Sequence, residues 1–199
     1  LRTLHVADGT PEAAVLVDGA VIAAVGPYDE LAAAHPAARV RRWPGILTPG
    51  LFNPYGPELL EATYHPDPRE AERLGTEPIG GERARAIFRT DPSRIGASAR
   101  RGVQRLLAHG TVAVAGELRA RPVVDAVRRA GLGVGRRPPR VQGPVSLSPT
   151  PLVLLPPLRE GGPARFAIFD VPDRAELVRQ GAGTCVATVV GGRLVYRAR

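Results

Sequence analysis

The chain has no lysine, no methionine, one cysteine and few aromatic residues (5%). With Cys185 alone, no internal disulfide can form. No basic segment followed by an apolar stretch opens the chain, so the N-terminus does not read as a secretory signal. No apolar run approaches the ~20 residues of a membrane span, and Leu152 to Leu155 is fenced by Pro151 and Pro156. A cytoplasmic protein without membrane contact is expected. Leu1 in place of an initiator residue implies a true N-terminus upstream. RNP-like, zinc-finger and basic-zipper patterns are missing, so specific nucleic-acid recognition is not expected. All 27 basic residues are Arg and the net charge is +8, a balance that permits polyanion binding through counterion release. The pairs Arg41-Arg42, Arg100-Arg101, Arg128-Arg129 and Arg136-Arg137 are dispersed, however, and a solvated basic surface explains them with less.

The 199 residues are ample for a core and allow one or two domains. They do not allow a full (β/α)8 barrel beside a β domain, since a barrel alone takes about 250 residues, and about 200 at the least. From Ala13 to Val25, AAVLVDGAVIAAV gives two β-rich runs around Asp18-Gly19, a dipeptide suited to a type I′ turn. Pro27 precedes a short helix over YDELAAAH, Arg39 to Trp43 is a strand, and Leu47 to Phe52 is an extended exit. At the other end, Phe166 to Asp170 is a strand, Asp173 caps a short helix to Gln180, and Val186 to Tyr196 is a hairpin around Gly191-Gly192. Isolated hairpins are marginal in water. The two ends are therefore expected to share one composite β domain.

Between them, Glu58 to Phe88 predicts loop with a helical turn near Glu70. Asp91-Pro92 predicts a helix start, with Ile95, Ala99, Val103, Leu106 and Leu107 on one face and Gly110 as its end. Thr111 to Ala115 is then a strand, and Pro122 opens a helix carrying Val123, Val124, Val127 and Ala130. Gly131 closes that helix before a strand over Leu132 to Val134. This αβαβ order predicts two parallel strands with a right-handed crossover. Arg136 to Pro163 holds eight prolines and reads as a linker or extended surface crossing.

The segment LTPGLFNPYGP (Leu47 to Pro57) resembles the approach to the first barrel strand in the amidohydrolase superfamily. There, Pro-Gly-(two apolar)-Asn/Asp-x-His-x-His supplies two metal ligands. Pro49, Gly50, Leu51, Phe52 and Asn53 fit; Tyr55 and Pro57 stand where the histidines would be, and neither replaces an imidazole. VLVDGAVIAAVGPYDELAAAHP resembles the opening hairpin of imidazolonepropionase-like and aminodeoxyfutalosine deaminase-like members, and ARFAIFD with VATVVGGRLVYR resembles their closing strands. Arg165 stands where Asp is common. LLAHGTVAV and RRAGL are similar to the second barrel strand and the end of its helix. Gly50 to Ala164 holds about three βα units at ~30 residues each, so the resemblance implies a truncated barrel and carries over no catalytic residue.

The resulting expectation is an α+β fold. Residues 1–52 and 164–199 form a composite β-sandwich-like domain, 53–135 a reduced αβαβ remnant of a (β/α) barrel, and 136–163 a Pro-rich linker. The function it implies is non-catalytic: binding, regulation or scaffolding without a cofactor, in a homo-oligomer or with a related protein. The alternative is a zinc- or iron-dependent hydrolase of non-peptide C–N bonds. None of the four histidines has HxH, HxxxH or HxxE spacing, so such a site would have to converge from separate segments. Its weak candidates are His65 with Asp67 and the nearby Glu61, His109 before Gly110, and Glu117 at a strand end. His109 also suits a helix C-terminus, where it would cap carbonyls. Cys185 reads as a buried small apolar residue.

Overall fold

The computed structural model describes residues 2–198. Leu1, and with it the N-terminal expectation, lies outside the described residues, as does residue 199 at the far limit of the C-terminal segment.

The first segment runs β1 (Thr3–Ala7), β2 (Ala14–Asp18), β3 (Val21–Gly26), α1 (Tyr28–Ala34) and β4 (Arg39–Trp43). Its strands form one sheet in the order β3-β2-β1-β4, with β4 parallel to β1 and the other pairs antiparallel. The apolar run of β2 divides between two faces, as strand alternation requires. Ala14 and Leu16 face α1 with Leu4 and Val6. Val15 and Val17 face Phe166, Ile168, Ala187 and Val189 from the far end of the chain. The hairpin turn falls one residue later than Asp18-Gly19 suggests. Asp18 still pairs with Val21, after a register shift at Leu16/Val17, and Gly19 alone takes a positive φ of 59°. A turn that needs a positive φ only at its first central residue accepts Ala20 at the second.

Next come β5 (Ile46–Thr48), β6 (Leu51–Asn53), α2 (Gly56–Leu60), α3 (Ala71–Leu74), α4 (Gly81–Thr90), α5 (Arg94–Ala108) and β7 (Thr111–Ala115). The chain continues through α6 (Arg121–Ala130), β8 (Gly133–Gly135), β9 (Val153–Leu154), β10 (Arg165–Phe169), α7 (Arg174–Gln180), β11 (Cys185–Val190) and β12 (Arg193–Arg197). A second sheet has the order β12-β11-β10-β5, all antiparallel. The two terminal hairpins thus lie in different sheets, and β5 is the N-terminal strand that pairs with the C-terminal ones. Asp173 accepts the Glu176 N–H at 2.9 Å as the cap of α7. Gly191 and Gly192 both take positive φ in the β11–β12 turn.

The third sheet, β8-β7-β6-β9, has β6, β7 and β8 parallel and β9 antiparallel to β6. One face is covered by α2, α5 and α6 through Leu60, Val103, Leu106, Val123 and Val127. The other carries Phe52, Ala113 and Ala115 under Val153 and Leu155. Val124 is 39% exposed, because it lies about 100° around α6 from Val123. The expected helix start at Asp91-Pro92 falls in the turn before α5, where Asp91 accepts from the Ser93 N–H and hydroxyl.

The middle of the chain departs from expectation in its helices. Residues 58–88 have the expected helical turn at Pro68–Glu70, but α3, most of α4 and most of α2 stand in place of the expected loop. α4 buries only Ala84 fully, with Ile87 and Phe88 packed against Tyr64 and Ile79, and so narrow a stripe leaves little periodicity to read. Residues 136–163 run as an irregular crossing that is tied to the rest of the chain. β9 pairs with β6, and the Ser148 hydroxyl accepts the Ala182 N–H at 2.8 Å. Prolines remove donors but keep every carbonyl, and those carbonyls serve donors elsewhere in the chain.

Candidate functional site

Where β6 ends, Asn53 is fully buried. Its side-chain amide donates to the Ser146 carbonyl at 2.9 Å, and its oxygen accepts the Tyr55 N–H at 2.9 Å. The Tyr55 ring is buried. Its hydroxyl donates to the Gly143 carbonyl at 2.7 Å, with the Gln142 carbonyl 2.9 Å away. Gly56 is forced by close approach, since a Cβ there would sit 2.2 Å from the Ala115 carbonyl oxygen. Pro57 opens α2, and its ring fills the space over Gly116, where a Cβ would come within 2.7 Å of it. The two positions compared with a histidine pair thus hold a phenol turned into the Pro-rich segment and a ring that packs.

His65 is fully buried. Its Nε2 donates to the Leu59 carbonyl at 2.7 Å, its backbone N–H donates to the Ser98 hydroxyl at 2.9 Å, and its Nδ1 is buried with no partner. Burial pushes its pKa below the usual histidine value, with Arg105 and Arg101 acting in the same direction and the Leu59 bond opposing them. Asp67 accepts from the Arg69 N–H and from Arg101 at 3.2 Å, and it forms a reciprocal cap with Glu70. His109 caps α5, its Nδ1 donating to the Arg105 carbonyl at 2.7 Å. Among the described residues no three His, Cys, Asp or Glu side chains converge as a metal site. The donors present therefore do not fit a resident metal.

Glu70 is the residue that sequence reasoning missed. It accepts from the Tyr64 hydroxyl, Arg94 and Arg73. The Tyr64 hydrogen bond, ahead of those from Asp67 and Arg94, holds its carboxyl down at about 2 against the cost of burial. The spacing Asp67-Pro-Arg-Glu70 is a capping-box pattern and could have revealed it.

Glu117 and Glu61 are brought together at the C-terminal ends of the parallel strands. With Pro57, Gly116, Arg119, Gly135, Arg136 and Arg137 they line a cleft of about 950 Å³. Glu61 accepts the Arg119 and Ala120 N–H groups at 2.6 and 2.7 Å. Arg137 pairs with Glu58 at 2.5 Å, and its guanidinium carbon lies 5.7 Å from the centre of the Tyr55 ring.

Residues 13–38 match the family model of the bacterial imidazolonepropionase-like composite domain. That stretch contains β2, β3 and α1, and over it the resemblance to an imidazolonepropionase-like composite domain holds. No curated protein matches the chain. Guanine deaminase from Bradyrhizobium japonicum is similar in structure at 21% identity, covering 61% of this chain and 27% of its own, with a TM-score of 0.37. Ochratoxinase from A. niger is similar at 20% identity, covering 67% and 30%, with a TM-score of 0.42. N-isopropylammelide isopropylaminohydrolase from Burkholderia multivorans is similar at 18% identity, covering 67% and 36%, with a TM-score of 0.44. The chain spans about a quarter to a third of the length of these structures. Among the described residues no helix is long and apolar enough to cross a membrane.

Proposed function

We propose that this protein is a non-catalytic relative of imidazolonepropionase-like amidohydrolases with a binding or scaffolding role. In this reading residues 1–52 and 164–199 make a composite β domain around the reduced insert, and the insert keeps the ends of its parallel strands as a binding surface. The observation that carries it is the turn from Asn53 to Pro57. Its Tyr55 hydroxyl is spent on the 142–143 carbonyls, and Pro57 offers no donor atom and packs over Gly116, so one of the two positions that would hold a metal fastens the Pro-rich segment and the other only fills space. A second copy of the chain is the proposed partner, because among the described residues β8 ends the parallel sheet with an unpaired edge and leaves Val134 58% exposed.

Elemental analysis for zinc, iron and manganese on protein purified without chelators tests the reading. Essentially no metal per chain is expected. Near one metal per chain overturns it in favour of a hydrolase of non-peptide C–N bonds, with the unpartnered His65 Nδ1 as the first ligand to examine.

A further inference from the structure

The cleft at the strand ends has a charge balance that the closed turn beside it leaves unused. Arg119 follows β7 and Arg136 follows β8, so two separate connections deliver exposed guanidiniums to one rim. The charge of Glu61 is already met by two backbone N–H groups, and Arg137 is taken by Glu58. Among the described residues Arg119 and Arg136 have no ion-pair partner, and the Glu117 carboxylate accepts no hydrogen bond. Two free guanidiniums thus stand beside one free carboxylate in a concave site at the carboxyl ends of parallel strands, the place where open α/β sheets hold ligands.

We propose that this cleft binds a small phosphate ester, with Arg119 and Arg136 gripping the phosphate and Glu117 accepting from a hydroxyl or amine of the organic part. Guanidinium forks match phosphate oxygens in paired hydrogen bonds, and two free guanidiniums beside the single Glu117 carboxylate leave the cleft with a net positive charge for an anion. A nucleic acid strand would require an extended basic stripe, whereas this cleft sets Arg119, Arg136 and Arg137 among Glu61, Glu117, Pro57 and two glycines. The assignment rests on the binding role proposed above and names the ligand class for it.

Calorimetric titration of the full chain with inorganic phosphate and with ribose 5-phosphate at low salt tests it. Saturable binding of both is expected, tighter for the sugar phosphate. Arg119→Ser with Arg136→Ser should weaken both by about tenfold or more. Arg83→Ser with Arg193→Ser removes the same charge from exposed positions elsewhere, and should weaken them by less than about twofold. Glu117→Gln should weaken only the sugar phosphate. If the Ser pair does not fold, Arg119→Lys with Arg136→Lys keeps the charge and loses the fork, and an unchanged affinity there counts against the proposal. Equal losses in the two Ser pairs, no saturable binding, or succinate binding as tightly as phosphate would overturn it. Metal-free protein that ignores phosphate sinks this assignment alone, whereas metal-loaded protein sinks the non-catalytic reading whatever the titration gives.

Discussion

The Tyr55 hydroxyl donates to the Gly143 carbonyl at 2.7 Å, and so joins the turn after β6 to a segment 88 residues further along the chain. Beside it, the Asn53 amide donates to Ser146. Together they make the Pro-rich crossing part of the fold. Tyr55→Phe should cost about 1 kcal/mol, the net worth of one hydrogen bond. Asn53→Ala should cost more, about 2–3 kcal/mol, because it strands the buried Tyr55 N–H and the Ser146 carbonyl together. Urea denaturation of both variants checks the order; an Asn53→Ala variant as stable as the parent would show that segment 136–163 is not anchored there.

Placing a histidine pair in the turn after β6 should not create a metal centre. Tyr55→His with Pro57→His supplies two imidazoles, yet among the described residues no acid or histidine cluster stands ready to complete the set, and catalytic zinc sites use three protein ligands. Metal content well below one per chain is expected. Stoichiometric metal in this variant would mean that further ligands do converge on the turn.

His5 makes stability depend on pH. It is buried beside Trp43 and Phe166, and its Nδ1 accepts the Trp43 indole N–H at 3.2 Å. Burial, and then the charge of Arg41, lower its pKa to about 4. The folded protein therefore holds the neutral ring where the unfolded chain is already protonated. That contribution is complete above pH 6.5 and is lost as pH falls through about 4, with a size of up to about 3 kcal/mol. His5→Gln should flatten the slope of stability against pH between 4 and 6.5; an unchanged slope would assign the effect to the carboxylates.

Gly102 faces His65 across the α5 surface. A Cβ there would lie 2.7 Å from the His65 Nε2 and 2.9 Å from a Leu60 methyl. Gly102→Ala should therefore destabilise by about 1–3 kcal/mol through overpacking, although alanine is the better helix former. A stabilised variant in thermal melts would mean that His65 is free to move.

Self-association should depend on the edge of β8. Sedimentation across a dilution series is expected to show a dimer that dissociates at low concentration but resists moderate salt. Val134→Arg, at the most exposed large apolar residue of that strand, should shift the midpoint towards monomer by about tenfold in concentration. A monomer at all concentrations would remove the second copy as partner.

Local chemistry alone settled much of this protein. The runs around Gly19 and Gly191-Gly192, the Asp173 cap, the helix face from Ala99 to Leu107 and the left-handed Gly131 each depend on neighbours within a few residues, and each appears at or within a residue of its expected place. That Tyr55 and Pro57 carry no imidazole was equally legible, because it is a matter of side-chain atoms. Tertiary structure decided what no local pattern encodes. It put the two hairpins in separate sheets linked through β5, and it made α4 a helix with one small buried residue. It also turned a Pro-rich stretch into a row of acceptors for Asn53 and Tyr55, and gathered Arg119, Arg136 and Glu117 on one rim. The reason is physical: hydrogen bonds and charge pairs between residues tens of positions apart form only once the chain is packed, and a carbonyl just before a proline looks the same in the sequence whether it meets water or a tyrosine.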